Sequence, residues 1–466
     1  MSAKSPISLL NFFVFNSTYG NREGEESKKI IFYYPDKTDL DTRIKNIGLC
    51  EAIIKFSDTF ATQSPCEVLH TKKTRQLFLQ AEKNFWMVMS LSIPFQQKLR
   101  DGQLYPDYYA EEVQDHVFQA LLKALYKMFR LIMGTFKHNL EHGGIEYLKQ
   151  KLEIFYLRYL PKIKFHQVDL LDVFQGIQFL PLEKYPFLKI QCFISLTEAT
   201  FSQIKYTAFL YNDQLVWSGL NQEDMQVLYR FLICHLIPSF LESELQLGAF
   251  SPSRPTSFSS GQHFGRFMTG PTTITDGANI DKVPKIYINK DSSEEYSLLV
   301  YRALSATICL LVDSKYQLNL EFFKKLDQFL GPNLTSLASE ISEQYSKTVG
   351  LTSSTDQQIK YHYMYFNRLN LAEKSTIHID ARKTGHMSFP PEIIKLLADI
   401  NFDLSRLTDA GEIIGKTVAD CWVIGKLSEQ REFYVVLQQK NANIINVSDE
   451  LKRLNAINFQ NIFLVD

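Results

Sequence analysis

Between Ile204 and Asp224 the chain reads IKYTAFLYNDQLVWSGLNQED, two short strands and the start of a helix. Tyr206, Ala208 and Leu210 alternate with Thr207, Phe209 and Tyr211, so the first strand is apolar on both faces. Asn212-Asp213 supplies residues that tolerate positive φ, as a tight hairpin turn requires. Leu215-Val216-Trp217 returns as the second strand. Asn221 is placed to cap the helix, with Glu223 and Asp224 in its positive first turn. A strand with two apolar faces must be covered on both sides, so this stretch belongs to a layered sheet rather than to a surface ribbon.

The same order occurs three times. The first third opens with a strand from Leu9 to Phe15, then KKIIFYYP, then a helix from Asp41 or Thr42 to about Phe60. Strands near 67–79 and Phe85–Ile93 follow. An amphipathic helix carries Val113, Val117, Leu121, Leu125, Met128 and Ile132 on one face, and a further helix runs from about Ile145 to Leu160. In the middle third the helix runs from Gln222 to Leu236. A Ser/Pro-rich loop, SPSRPTSFSSGQ, comes next, then strands at PKIYIN, SLLVYRAL and TICLLVD, and helices from Leu320 to Tyr345. The last third begins after a polar linker, KTVGLTSSTDQQ. IKYHYMYFNRL and KSTIHIDA form its hairpin, and Pro390-Pro391 opens a helix with Ile393, Leu397, Ile400, Leu404 and Leu407 on one side. DCWVIGKLS and REFYVVLQQ are a strand pair, and SDELKRLNAI closes the chain. The expected fold class is α/β (α+β mixed), in three domains over 1–165, 166–348 and 349–466, with an insertion at 247–282.

A chain of 466 residues that is 45% hydrophobic and 22% charged can bury a core in each third. Lys+Arg 50 against Asp+Glu 51 leaves no basic excess, which argues against nucleic acid as partner, since that affinity is mostly phosphate neutralisation. The first residues lack the apolar run and cleavage site of a signal peptide, and Ala303 to Val312 is far short of the ~20 residues of a membrane span. A cytoplasmic protein is expected. Its six cysteines show no CxxC pairing, and most sit in apolar contexts as small buried groups. Trp86 and Trp217 are open to either a core or a partner-surface reading, a strand tryptophan being more often core than hot spot.

No catalytic constellation stands out. AGEIIGKT, Ala410 to Thr417, fits a relaxed phosphate-loop pattern, but a helix precedes it and a strand follows, the reverse of the required context. A helix-to-strand turn is the expected reading, with Ile413-Ile414 entering a sheet. A nucleotide hydrolase acting through Lys416 is the enzyme alternative. His138 and His142 lie four apart without a thiol or carboxylate set, and no GxSxG is present. No cofactor, metal or catalytic residue is expected.

The first helix is apolar on more than its core face. Ile47, Cys50 and Ile54 form one stripe, and Leu49, Ile53, Phe56 and Phe60 form a second, more than one sheet contact needs. Either flanking loops cover the second stripe or a partner does.

The blocks YGNREGEESKKIIFYYP, IGLCEAI, NFWMVM, IKYTAFLYNDQLVWSGL, GRFMTGP, NLAEKSTIH and KNANII, in that order, resemble the Ccz family of vacuolar fusion proteins. The blocks span nearly the whole chain. The resemblance implies three longin domains in series, each a mostly antiparallel sheet flanked by helices. It also implies pairing with a Mon subunit to form a guanine nucleotide exchange factor for the late-endosomal Rab GTPase called Rab seven. A third, propeller-containing subunit joins in animals. Membrane contact would be peripheral, at late endosomes, lysosomes and autophagosomes. On this reading the first longin domain presents Leu49, Ile53 and Phe56 to Mon or the Rab, with Lys45 and Asn46 as polar contacts at the edge. The other class of function open to the same fold is a non-catalytic adaptor or tether.

Overall fold

The computed structural model describes residues 4–60, 65–100, 103–242, 265–271, 283–289, 294–353, 361–376, 390–418, 420–438 and 442–458. The chain divides into two compact units, Met1–Phe174 with Ile377–Glu429, and Gln175–Thr376 with Gln430–Asp466.

The first unit starts with β1 (Leu9–Asn16), β2 (Ile30–Tyr34), α1 (Leu40–Asp58), β3 (Val68–His70), β4 (Thr74–Glu82) and β5 (Phe85–Ser92). These strands form one antiparallel sheet in the order β2-β1-β5-β4-β3. The strand expected near 67–79 is two strands, because Thr71 turns the chain by accepting the Thr74 N–H and bonding the Thr74 carbonyl. A hairpin absent from the sequence reading follows, β6 (Phe95–Arg100) and β7 (Gln103–Tyr108), then α2 (Asp115–Met133), α3 (Phe136–Tyr159) and α4 (Leu170–Phe174). Gly144 at φ +73° kinks α3.

The alternation along β1 sorts the layers. Phe13 and Phe15 join Tyr33, Phe78, Trp86 and Val88 against the inner stripe of α1. Phe12 faces the other way, 4.8 Å from Tyr156 of α3, which stacks at 5.6 Å on Phe129 of α2. Burial raises the Tyr156 phenol well above the ordinary tyrosine range. Gln119 of α2 donates to the Phe78 carbonyl at 2.8 Å, tying the helix to β4.

The second unit opens with β8 (Ile177–Gln178) and α5 (Lys184–Thr200), the latter unassigned from sequence. Then come β9 (Ile204–Tyr211), β10 (Gln214–Ser218) and α6 (Gln222–Phe231), as the quoted stretch predicts. Asn212 takes φ +50° in the turn, and Asn221 caps α6 by accepting the Asp224 N–H at 2.8 Å. Residues 232–236 continue as a π turn. After β11 (Gly265–Phe267), β12 (Lys285–Ile288), β13 (Glu294–Ala303) and β14 (Ala306–Asp313) comes α7 (Leu320–Ser353). The sheet order is β10-β9-β14-β13-β11, with β12 also on β13. α5 and α7 cover one face through Ile190, Phe193, Phe323, Leu326 and Leu330. Of the insertion at 247–282 only 265–271 are described. The linker expected at 347–358 is helical as far as 353, because α7 runs on past Tyr345 with Pro332 inside it.

β15 (Tyr361–Asn367) and β16 (Ala372–Ser375) pair antiparallel, and β8 joins β16 in parallel. The chain then contributes α8 (Pro391–Leu404), β17 (Ala410–Lys416) and β18 (Cys421–Ser428) to the first unit, and β19 (Arg431–Gln438) and α9 (Ile444–Asn458) to the second. β19 lies on β15. Ile393, Leu397, Ile400 and Leu404 of α8 are buried as the spacing predicts; Leu407 lies past the helix end and is exposed.

Candidate functional site

α1 begins at Leu40, one or two residues before Asp41 or Thr42, because Asp39 is its cap and accepts the Thr42 N–H at 2.8 Å. That bond and the positive helix end hold the Asp39 carboxyl below its usual range. Ile47, Cys50 and Ile54 are buried in the sheet core. Burial pushes the Cys50 thiol up to about 12, so it is a packing group rather than a nucleophile. Glu51 is buried beside this stripe and is held by Lys29 at 2.5 Å and Lys55 at 2.6 Å. Burial pushes its carboxyl up, but the two ammonium groups outweigh it and keep it below the ordinary range. Asn46 donates to the Tyr33 hydroxyl at 2.7 Å, and Arg43 donates to the Thr38 carbonyl at 2.8 Å while lying over the Tyr33 ring. The inner side of the helix is therefore fixed by apolar packing, one buried carboxylate and one amide.

The outer side has no such cover among the described residues. Leu49 is 54% exposed, Phe56 67% and Phe60 77%, while Ile53 is half-buried between them. Phe56 and Phe60 meet edge to face at 4.9 Å, making one apolar ridge. Lys45 is exposed beside it. Asn46 is turned inward toward Tyr33, so of the two polar edge residues only Lys45 points to solvent. Gly48 and Ala52, absent from the sequence reading of this face, are also exposed, and nothing lies within 4 Å of where a Gly48 side chain would start. Their i, i+4 spacing beside the ridge was the available signal. The arrangement can bind an apolar partner surface; it offers no nucleophile, acid–base pair or ligand set.

The description "First Longin domain of INTU, CCZ1 and HPS4" matches residues 9–134, which contain α1 and its whole sheet. "Intu longin-like domain 2" matches 204–331 and "Intu longin-like domain 3" matches 357–454. Over 468 residues, 99% of both sequences, the chain is 51% identical to the vacuolar fusion protein CCZ1 homolog of Nematostella vectensis. The chain belongs to the CCZ1 family of vacuolar fusion proteins. The Xenopus laevis homolog is 48% identical and the Dictyostelium discoideum homolog 28%, each over 463 residues and 98% of both chains. Three longin-like domains follow one another in series, and the third matched region contributes residues to both compact units.

The other motifs of this CCZ1-family chain resolve into structure. AGEIIGK is neither a phosphate loop nor the expected helix-to-strand turn. It is β17, paired residue by residue from Ala410↔Ser428 to Lys416↔Trp422. Its alternating N–H groups are committed to the ladder, with Ile413 and Ile414 in the sheet. Lys416 lies 3.1 Å from Asp420. His138 and His142 stack at 6.2 Å on α3, and no group of metal-ligand side chains exists among the described residues. Trp86 is core, and Trp217 packs half-buried against the second core. Cys50, Cys309 and Cys421 are buried as expected, but Cys192 is exposed because it lies on the outer face of α5. No helix among the described residues is long and apolar enough to cross a membrane.

Two measurements test this account of α1. Gly48→Ala replaces a poor helix former with the best one on an open face, so it stabilises the helix by roughly 0.5–1 kcal/mol, read as slower amide exchange over Leu40–Asp58. Glu51 has a folded pKa below its unfolded value of about 4.3, so its contribution is complete above that pH and is lost as pH falls through the lower folded value. Glu51→Gln accordingly loosens α1 at pH 7 and flattens the acid limb of its pH–stability profile.

Proposed function

We propose that this chain acts in endolysosomal membrane fusion as one subunit of a guanine nucleotide exchange factor. A Mon-family longin subunit is its partner, and a late-endosomal Rab-seven-type GTPase is its substrate. The observation that carries the reading is the apolar outer face of α1, in the first longin domain of a chain whose relatives are named vacuolar fusion proteins.

Exchange needs no bond-making residue. Nucleotide is held on a GTPase by phosphate, Mg²⁺ and ordered switch loops. A surface that binds the rearranged switch more tightly shifts the population, and reversing a 1:99 ratio takes about 5.5 kcal/mol of differential affinity. A ridge such as Leu49, Ile53, Phe56 and Phe60 supplies energy of that kind by burying apolar area on the partner or the GTPase. Lys45 would set orientation at its rim. With formal net charge −1, this subunit has little electrostatic pull toward anionic lipid. Recruitment to late endosomes, lysosomes and autophagosomes would then be peripheral and act through the assembled complex, which a third propeller-containing subunit completes.

Release of labelled GDP from late-endosomal Rabs, measured with this chain co-purified with its Mon partner, tests the proposal. Acceleration supports exchange; none on any such Rab leaves a non-catalytic adaptor or tether. Ile53→Asp places a carboxylate in the centre of the ridge and lowers pairing or exchange by about tenfold or more, as loss of a central apolar anchor does. Normal pairing and exchange in that variant would remove the ridge from the interface.

A further inference from the structure

Within the first unit, the start of α2 meets α8 across a joint with a histidine at its centre. Gln114 donates to the Lys395 carbonyl at 2.8 Å and to Asp399 Oδ1 at 2.7 Å. The next residue but one, His116, stacks on Phe402 with ring centroids 5.1 Å apart. Its Nε2 is buried with no hydrogen-bond partner. A neutral imidazole leaves one nitrogen as a bare acceptor, whereas an imidazolium carries a second N–H that must find an oxygen.

We propose that His116 is an acid-sensitive latch: neutral, it lets α8 close on α2, and protonated at Nε2 it loosens α8 from α2.

The neighbouring charges do not supply the missing acceptor. Asp115, the residue before it on α2, is already shared by His70 of β3 at 2.6 Å and Arg75 of β4 at 3.0 Å. Asp399 of α8 accepts from Gln114, and Asp403 is exposed on the outer side of α8. Lys395 lies 3.7 Å from Glu112, and the Arg406 guanidinium sits 4.1 Å over the same Phe402 ring, so two cations already border the joint. Asp172 of α4, which also packs on both helices, accepts from the Asp169 N–H of its own turn. Burial holds His116 below the usual histidine range, although Asp399, the Ala398 carbonyl, Asp115 and Asp403 pull the other way. The sign follows: with the folded value below the unfolded one of about 6.5, closure is complete above that pH and is lost below it.

Amide exchange of α8 in the full chain, corrected for intrinsic rates, reads the latch between pH 7.5 and 5.5. Wild-type protection is expected to fall at least about threefold on acidification. His116→Gln and His116→Phe, which cannot titrate, are expected to keep it level, and His70→Gln is expected to fall like the wild type. A fall that persists in both His116 variants, disappears in His70→Gln, or is missing from the wild type overturns the proposal. If both His116 variants leave α8 open at every pH, the wild-type imidazole titration decides by NMR, the resonance being the one absent from His116→Gln. A midpoint below about 6.5 supports the latch, and one at or above that value overturns it.

Discussion

A strand that is apolar on both faces obliges the chain to cover a sheet twice, and each unit is organised around that obligation. In β1, Phe13 and Phe15 need α1 while Phe12 needs α3; removing either layer would leave large aromatic rings in water. The second sheet repeats the requirement, with Phe209, Ile308 and Leu310 under α5 and α7 and the alternate residues Ala208, Cys309 and Leu311 equally buried. Only after both faces are closed does an outer helical surface become available for anything else. The ridge on α1 is such a remainder, since the helix meets its duty to the sheet with one stripe.

The parts of the fold legible from sequence were those set by local chemistry. Alternation identified β9, apolar stretches identified β1, β5 and β14, and the Asn212 turn and Asn221 cap fell where their side chains require. What could not be read depended on partners distant in sequence. The β6–β7 hairpin has Pro106 within a strand and exposes Leu99 and Leu104, so its apolar pattern resembles a loop until the register pairs those two residues. β17 hid inside a glycine-containing motif because Gly411 and Gly415 suggest a turn, and its strand character comes from β18. α5 has apolar residues nearly all round, which gives no single stripe to mark it as a helix.

The candidate site was legible in outline and not in its details. Spacing alone separated Ile47, Cys50 and Ile54 from Leu49, Ile53 and Phe56, and the burial values divide along that line. Asn46 was placed with the outer contacts because its position on the helix allows either direction. Its choice is made by Tyr33, thirteen residues earlier, whose hydroxyl it reaches. The helix start was placed one or two residues late for a simpler reason: Asp39, Asp41 and Thr42 are all competent caps, and only backbone geometry selects among them.

The clamp beneath α1 has an evolutionary consequence. Lys29, Glu51 and Lys55 secure the helix from within and from its C-terminal end, so its attachment does not draw on Leu49, Phe56 or Phe60. Substitutions on the outer face can therefore accumulate without retuning the core beneath. Lineages of this family could diverge in whom they recognise while inheriting the same scaffold, provided each change stays on that side of the helix.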